Sequence, residues 1–278
     1  MIIDNILIYK LKKFKIFSKF MKEENISKIK KEIKGGGIPL QIYSSVILDK
    51  LNWNVKQNCF YNLFNKKGES EREIDILGEK GSFIPRLNNI IIFECKKSSN
   101  PWVFFKQKTK MGKDPFLVTA LVKDNIFIYD FVSKNFEKFH YLGKEIHTYF
   151  HTAFFKEKAE RESQYSPIHK AIKQVLSGMG FIANQNEDFL RKNPLAIDGY
   201  FLYPLIVLDG ELLSALNRED GEIEIEERNH IALQLNFEME EAWIVPGKQG
   251  SQGLRSKKII VDVVKKEYLE EFLRNSFP

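Results

Sequence analysis

The sequence has few cysteines and no long apolar run. Its two cysteines, Cys59 and Cys95, form no disulfide framework, which excludes a small disulfide-rich secreted protein and predicts a reducing, cytoplasmic setting. No apolar stretch approaches the roughly 20 residues that a membrane-spanning helix needs. Lysines also interrupt the N-terminal apolar stretch, so we expect neither a membrane span nor a secretory signal.

Two common catalytic motifs are also missing. The sequence has no Gly-x-Ser-x-Gly motif, so it does not predict serine-hydrolase chemistry. The glycine-rich stretch 247–253 lacks the Gly-Lys-Ser/Thr ending of a P-loop. Basic residues lie in and after this stretch, among them Lys248 and Lys257, and they are candidates to contact nucleic-acid phosphates. The alternative interpretation, the tip of a hairpin, is favoured.

What is present is enough apolar material for a core. The chain has 278 residues, of which 43% are hydrophobic and 23 are Phe, and this suffices for one large domain or two small ones.

The net charge of +6 is concentrated at the N-terminus. Residues 1–34 hold ten lysines against four acids, whereas the rest of the chain is neutral. We predict a basic helical leader over residues 1–37, ending in the glycine hinge Gly35–Gly37, with Lys12 and Lys13 as candidate DNA contacts. Packing of this helix on the domain and binding to an anionic membrane surface remain alternatives.

Two short segments that are rich in β-branched side chains, 72–77 and 89–97, predict a hairpin with the turn-forming residues between them as its turn. With the turn centred between residues 84 and 85, facing residues have numbers that sum to 169. This register places Asp75 beside Glu94.

Two opposed carboxylates predict a metal site. Directly facing residues have Cβ atoms roughly 4.5–5.5 Å apart, close enough for Asp75 and Glu94 to share a hard cation such as Mg²⁺, for which Mn²⁺ can substitute. Side-chain alternation puts Lys96 on the face of Glu94, where it can orient a water or offset charge on a phosphodiester. The apolar run 90–93 indicates a central strand, so these charges are partly buried. The alternative is a solvated strand end, because Glu-x-Lys is common by chance.

These residues resemble the PD-(D/E)xK, or restriction-endonuclease-like, nucleases, over most of residues 36–278. The resemblance implies an α/β fold with a restriction-endonuclease-like core, in which helices flank a central mixed β-sheet. Its core order is a helix, a three-strand meander that carries Asp and (D/E)xK, a second helix and a further strand. The matching segments here are helices at about 39–51, 167–177 and 266–275, and strands at 54–64, 72–77, 89–97, 203–208, 231–237 and 259–264.

The resemblance also implies a function: a Mg²⁺-dependent deoxyribonuclease, such as an endonuclease in restriction, repair or defence. Lys97, next to the motif, is a candidate DNA contact, and a homodimer is plausible because a double-strand cut needs two sites. Many family members carry a Glu on the first helix where this chain has Gln41. Glu73 either compensates for the missing charge or is a solvated rim acid. The alternative function is a catalytically inactive nucleic-acid-binding module on the same fold.

Residues 101–161 form an insertion relative to this core, with strand-like segments at 116–122 and 126–132. Trp102, Phe104 and Phe105 are expected to pack in the core, with stacking on a nucleic-acid base as the alternative. His147 and His151 are predicted to lie four residues apart on an exposed helix, with a transition-metal pair as the alternative. Further along the chain, residues 218–228 are predicted to form a solvated turn.

Overall fold

The computed structural model describes residues 23–65, 68–81, 87–106, 120–122, 145–152, 166–192, 199–236 and 258–277. The chain divides into two compact units, Met1–Pro39 and Leu40–Pro278. The described element of the first unit is helix α1 (Glu23–Gly35). The candidate DNA contacts Lys12, Lys13, Lys248 and Lys257 and the strand predicted at 126–132 lie outside the described residues.

The second unit has a mixed α/β fold, in which helices flank a large central sheet whose strand pairs are mostly antiparallel. Its helices are α2 (Ile38–Lys50), α3 (Pro167–Lys192), a 3₁₀ turn at Lys266–Tyr268 and α4 (Leu269–Ser276). Its strands are β1 (Asn54–Asn65), β2 (Gly68–Gly81), β3 (Leu87–Lys97), β4 (Trp102–Lys106), β5 (Ala120–Val122), β6 (Ile146–Thr152), β7 (Gly199–Asp209), β8 (Leu212–Asn217), β9 (Ile223–Glu227), β10 (His230–Asn236) and β11 (Lys258–Lys265).

The strand order is β1-β2-β3-β7-β11-β10-β6-β4-β8-β9, and β5 pairs with β7. Strands β1, β2 and β3 form an antiparallel meander, and β7 lies parallel to β3 after the crossover that contains α3. The first ten residues of β7 are buried, as expected for a strand that is covered on both faces of the sheet.

Two apolar clusters cover the two faces of the sheet. On one face, α2 and α4 pack through residues such as Leu48 and Phe272 against Phe93 of β3. On the other face, α3 packs through residues such as Val175 against Ile92, the next residue along β3. Burying each such side chain stabilises the fold by about 1.5–3 kcal/mol.

Helix α2 ends at Lys50, and Asn52 terminates it. Asn52 has a φ of 60°, a left-handed conformation that asparagine tolerates better than most residues. Its N–H donates to the carbonyl of Asp49, and the N–H of Trp53 donates to the carbonyl of Leu48. These two bonds form a Schellman motif, which satisfies carbonyls at the helix end. Trp53 and Leu48 then lie in the same core cluster.

Several sequence predictions need correction. His147 and His151 lie on strand β6 and not on a helix. His147 is buried, with its Nε2 atom 2.8 Å from the Ser214 hydroxyl. Residues four apart on a strand are separated by about 13 Å, so the two histidines do not share an ion. The solvated turn predicted at 218–228 contains strand β9.

Other predictions for the insertion and the cysteines are confirmed or refined. Trp102 and Phe104 have no exposed surface, which confirms core packing and excludes stacking on a base for these two residues. Cys95 is buried, whereas Cys59 is only partly buried. No helix within the described residues is both long and apolar enough to cross a bilayer.

Candidate functional site

The candidate site lies where strands β2 and β3 separate. Their pairing runs from Gly81–Asn88 to Ile76–Phe93, the predicted register in which paired numbers sum to 169, and it ends one pair before Asp75 and Glu94. Beyond this point β2 pairs only with β1, and β3 continues beside β7. We call the place where the two strands separate the β2–β3 notch.

A local irregularity in β1 explains why the strands separate. Asn58 has a φ of 51°, and the pairing of β1 with β2 passes from Gln57–Ile76 to Cys59–Ile74 without a pair between them. Ile76 belongs to the core cluster under α2, whereas Ile74 packs in the cluster under α3. The β1–β2 ribbon therefore changes face at Asn58, and its far end turns toward α3.

The far end of the ribbon is fixed on α3 by close packing. Tyr61 stacks on Phe181 with ring centroids 4.6 Å apart, and the Tyr61 hydroxyl bonds the side chain of Ser177. Ile74 lies against Gly178, where an added Cβ would come within 2.8 Å of the Ile74 Cγ1 atom. Only glycine permits this approach. These residues could not be predicted from the sequence, because they adjoin the site only through the change of face at Asn58.

Asp75 occupies the point where the ladder ends. Its Oδ2 atom accepts a hydrogen bond of 2.7 Å from the backbone N–H of Cys95, which has lost its strand partner. The side-chain amide of Gln41, at the start of α2, donates a second bond. Burial raises the pKa of Asp75, and the bond from Cys95 and the positive charge of Lys96 oppose the rise.

Glu94 is the most deeply buried acid of the site, with 1% of its surface exposed. The pKa of Glu94 is raised to about 7, chiefly by burial and also by the negative charge of Asp75, while the positive charge of Lys96 opposes the rise. Lys96 Nζ forms an ion pair with Glu94 Oε1, and the hydrogen bond of this pair also lowers the pKa of the carboxyl. The predicted convergence of Asp75, Glu94 and Lys96 is therefore present in the structure.

The remaining predicted residues fall around this centre. Glu73 is only partly buried, and the negative charges of Asp75 and Glu71 support the rise in its pKa that burial causes. Lys97 is exposed, one residue beyond Lys96. Gln41 contacts Asp75 through its neutral side-chain amide. A glutamate at this position would add a negative charge to the site.

The residues present fit a hard cation incompletely. Carboxylates and amide oxygens are suitable donors for Mg²⁺, which commonly takes one or two carboxylates with water and substrate phosphates as the other ligands. The carboxylate of Glu94, which is 1% exposed, is one such donor. Within the part of the chain that the structure describes, however, no group of three or more His, Cys, Asp or Glu residues is arranged to hold a metal ion.

A second polar group lies elsewhere on the sheet. His230 Nε2 is 2.7 Å from Asp262 Oδ1, and Asp262 is 5% exposed. His230 also lines an open cleft of about 530 Å³, together with Glu227, Arg228, Asn229 and Tyr268. The pairing of His230 with a buried acid indicates a structural role for both residues.

Comparisons with known proteins add no assignment. No protein-family model, no curated protein and no solved structure matches this chain.

Proposed function

We propose that the chain is a metal-dependent nuclease that cleaves DNA at the β2–β3 notch, with a restriction-endonuclease-like core. The observation that carries the proposal is the convergence of two buried carboxylates and a lysine where a strand ladder ends. Asp75 bonds the backbone of Cys95, and Lys96 contacts Glu94. Buried charges cost free energy unless a partner or an ion compensates them.

The order of elements supports the same proposal. Helix α2, the meander β1-β2-β3, helix α3 and the parallel strand β7 follow one another as in the family that the sequence resembles. In that order, the Asp and the (D/E)xK residues lie on the second and third strands, which is where Asp75 and Glu94 lie.

Each residue of the notch has a defined role in this proposal. Asp75 and Glu94 would hold Mg²⁺ or Mn²⁺, which when bound supplies charge neutralisation and an activated water for phosphodiester hydrolysis. Gln41 and the Cys95 N–H fix the orientation of the Asp75 carboxylate. Lys96 Nζ donates hydrogen bonds to the oxygens on which negative charge builds during cleavage, or orients the attacking water.

The test uses supercoiled, linear and single-stranded DNA with Mg²⁺, Mn²⁺ or EDTA. We expect cleavage that requires the metal and disappears in the Asp75→Asn and Lys96→Met variants, whose substitutions preserve side-chain size. Glu211→Gln, at an exposed acid after β7, is the matched control. Cleavage that persists equally in the site variants would mean that the activity belongs to another site or a contaminant.

A catalytically inactive DNA-binding module is the second candidate. It is favoured by one observation, that Gln41 contacts Asp75 in place of a third acid. In that case DNA binding weakens with added salt, needs no Mg²⁺ and is accompanied by no cleavage.

A further inference from the structure

An exposed aromatic side chain stands beside the β2–β3 notch. Phe60 of β1 is 61% exposed, although the next residue, Tyr61, is buried on α3 at 4% exposure. Phe60 pairs directly with Glu73 of β2. Glu73 is two residues, or about 7 Å, from Asp75 along the strand. The charge of Asp75 raises the pKa of Glu73, and the charge of Glu73 raises the pKa of Glu94. Phe60 therefore lies at the rim of the proposed active site.

The neighbours of Phe60 are uncharged amides on its own strand and acids on the next. Asn58 and Asn62 flank Phe60, each two residues away along β1, and both are exposed. On β2, Glu73 pairs with Phe60 and Glu71 pairs with Asn62. We call this surface, formed by Asn58, Phe60 and Asn62, the Phe60 face.

Charge decides which part of a nucleic acid can occupy the Phe60 face. The two glutamates disfavour a phosphate there, because like charges at this spacing repel each other. A base is neutral and presents a flat ring, and stacking on an aromatic side chain does not depend on the identity of the base. The flanking asparagines can pair with base edges, since each amide both donates and accepts hydrogen bonds.

We propose that Phe60 is a stacking platform for an unpaired base next to the scissile phosphate, so that the preferred substrate is single-stranded or locally unpaired DNA. The inference rests on the proposed function, because it uses the position of the notch. Within a duplex the bases are stacked on one another, so a base reaches Phe60 only where the strand is unpaired.

Binding of DNA without cleavage tests this inference separately from catalysis. The affinities of a labelled oligo-dT strand and of a blunt duplex of equal length are measured by fluorescence anisotropy in EDTA. The proteins are the wild type, Phe60→Ala, Phe60→Trp and Tyr149→Ala. Tyr149 is 74% exposed on β6 and serves as the matched aromatic control.

We expect Phe60→Ala to lower the ratio of single-strand to duplex affinity by about 5- to 150-fold, the value of one base stack. Phe60→Trp should keep the wild-type ratio of single-strand to duplex affinity, and Tyr149→Ala should also leave this ratio unchanged. Because the Phe60 side chain is exposed, the variants should unfold at the wild-type temperature, which a thermal scan checks.

The outcomes separate the inference from the proposed function. An unchanged ratio in Phe60→Ala, or a wild type that does not bind single strands, overturns the inference, even if metal-dependent cleavage depends on Asp75. A lowered ratio in a protein that cleaves no DNA supports the base platform and contradicts the nuclease assignment.

Discussion

Replacing Glu94 by Gln should stabilise the metal-free protein at alkaline pH. The pKa of Glu94 rises from 4.5 to about 7 on folding, chiefly because the carboxyl is buried. Between these two values the folded protein keeps a proton that the unfolded chain has released. The free energy of unfolding therefore falls as the pH rises through this window. The full loss, on the order of 3 kcal/mol, is reached above about pH 7.

The assay is urea unfolding in EDTA at several values between pH 4.5 and pH 8.5. We expect the free energy of unfolding of Glu94→Gln to rise relative to the wild type by up to about 3 kcal/mol across this range. Glu211→Gln replaces an exposed acid and should follow the wild-type curve. A difference between Glu94→Gln and the wild type that does not vary with pH would refute the argument.

The same experiment with Mg²⁺ connects stability to the proposed function. A ligand that binds only the folded state at 100 times its Kd adds about 2.7 kcal/mol to the free energy of unfolding. If Glu94 is a metal ligand, the wild type gains this increment at high Mg²⁺ concentration and Glu94→Gln does not. Equal gains in both proteins would place the bound ion elsewhere.

Three further predictions concern the packing around the notch and the second polar group. Asn58→Gly should be tolerated and Asn58→Val should cost about 1–3 kcal/mol of unfolding free energy, because the φ of 51° strains a β-branched residue. Gly178→Val should destabilise by at least about 1–3 kcal/mol, since its side chain would collide with Ile74. Asp262→Ala should cost about 1–3 kcal/mol by leaving His230 Nε2 without its hydrogen-bond partner, and adding His230→Ala should cost less than the sum of the two single changes. Chemical denaturation measures all three, and additive effects at the last pair would contradict its coupling.

The carboxylate pair could be predicted from the sequence because hairpin register follows from numbering. The β-rich composition of segments 72–77 and 89–97 and the turn residues between them determined which positions face each other. The observed pairing of Ile76 with Phe93 follows this register. Side-chain alternation likewise placed Lys96 beside Glu94, and the ion pair agrees.

Long-range strand pairing explains why strands β6 and β9 could not be predicted from the sequence. Strand β6 contains histidine, threonine and aromatic residues without a clear period, and it pairs in parallel with β10, more than 80 residues later in the chain. Strand β9 alternates Ile and Glu but follows a short polar turn, so composition favoured a loop. Long-range pairing of this kind overrides local propensity.

The change of face at Asn58 could not be predicted from local sequence patterns either, because a positive φ is a property of the folded backbone. It has a direct consequence for the site. In a continuous ladder, the Cys95 N–H would pair with a backbone carbonyl of β2, and the Asp75 carboxylate would have no bond to make there. Because the ribbon turns away, this N–H donates to Asp75.

The buried carboxylate is the strongest argument that the notch has a function. Keeping Glu94 ionised in the folded protein above pH 7 costs about 3 kcal/mol, a large share of the 5–15 kcal/mol by which native proteins are typically stable. A Gln at this position would retain the packing and remove the cost. The ion pair with Lys96 recovers only part of it, because the pKa remains raised beside that cation. A divalent cation would favour the ionised carboxylate and reverse the penalty, so the position makes physical sense as a ligand that is stabilised when its ion binds.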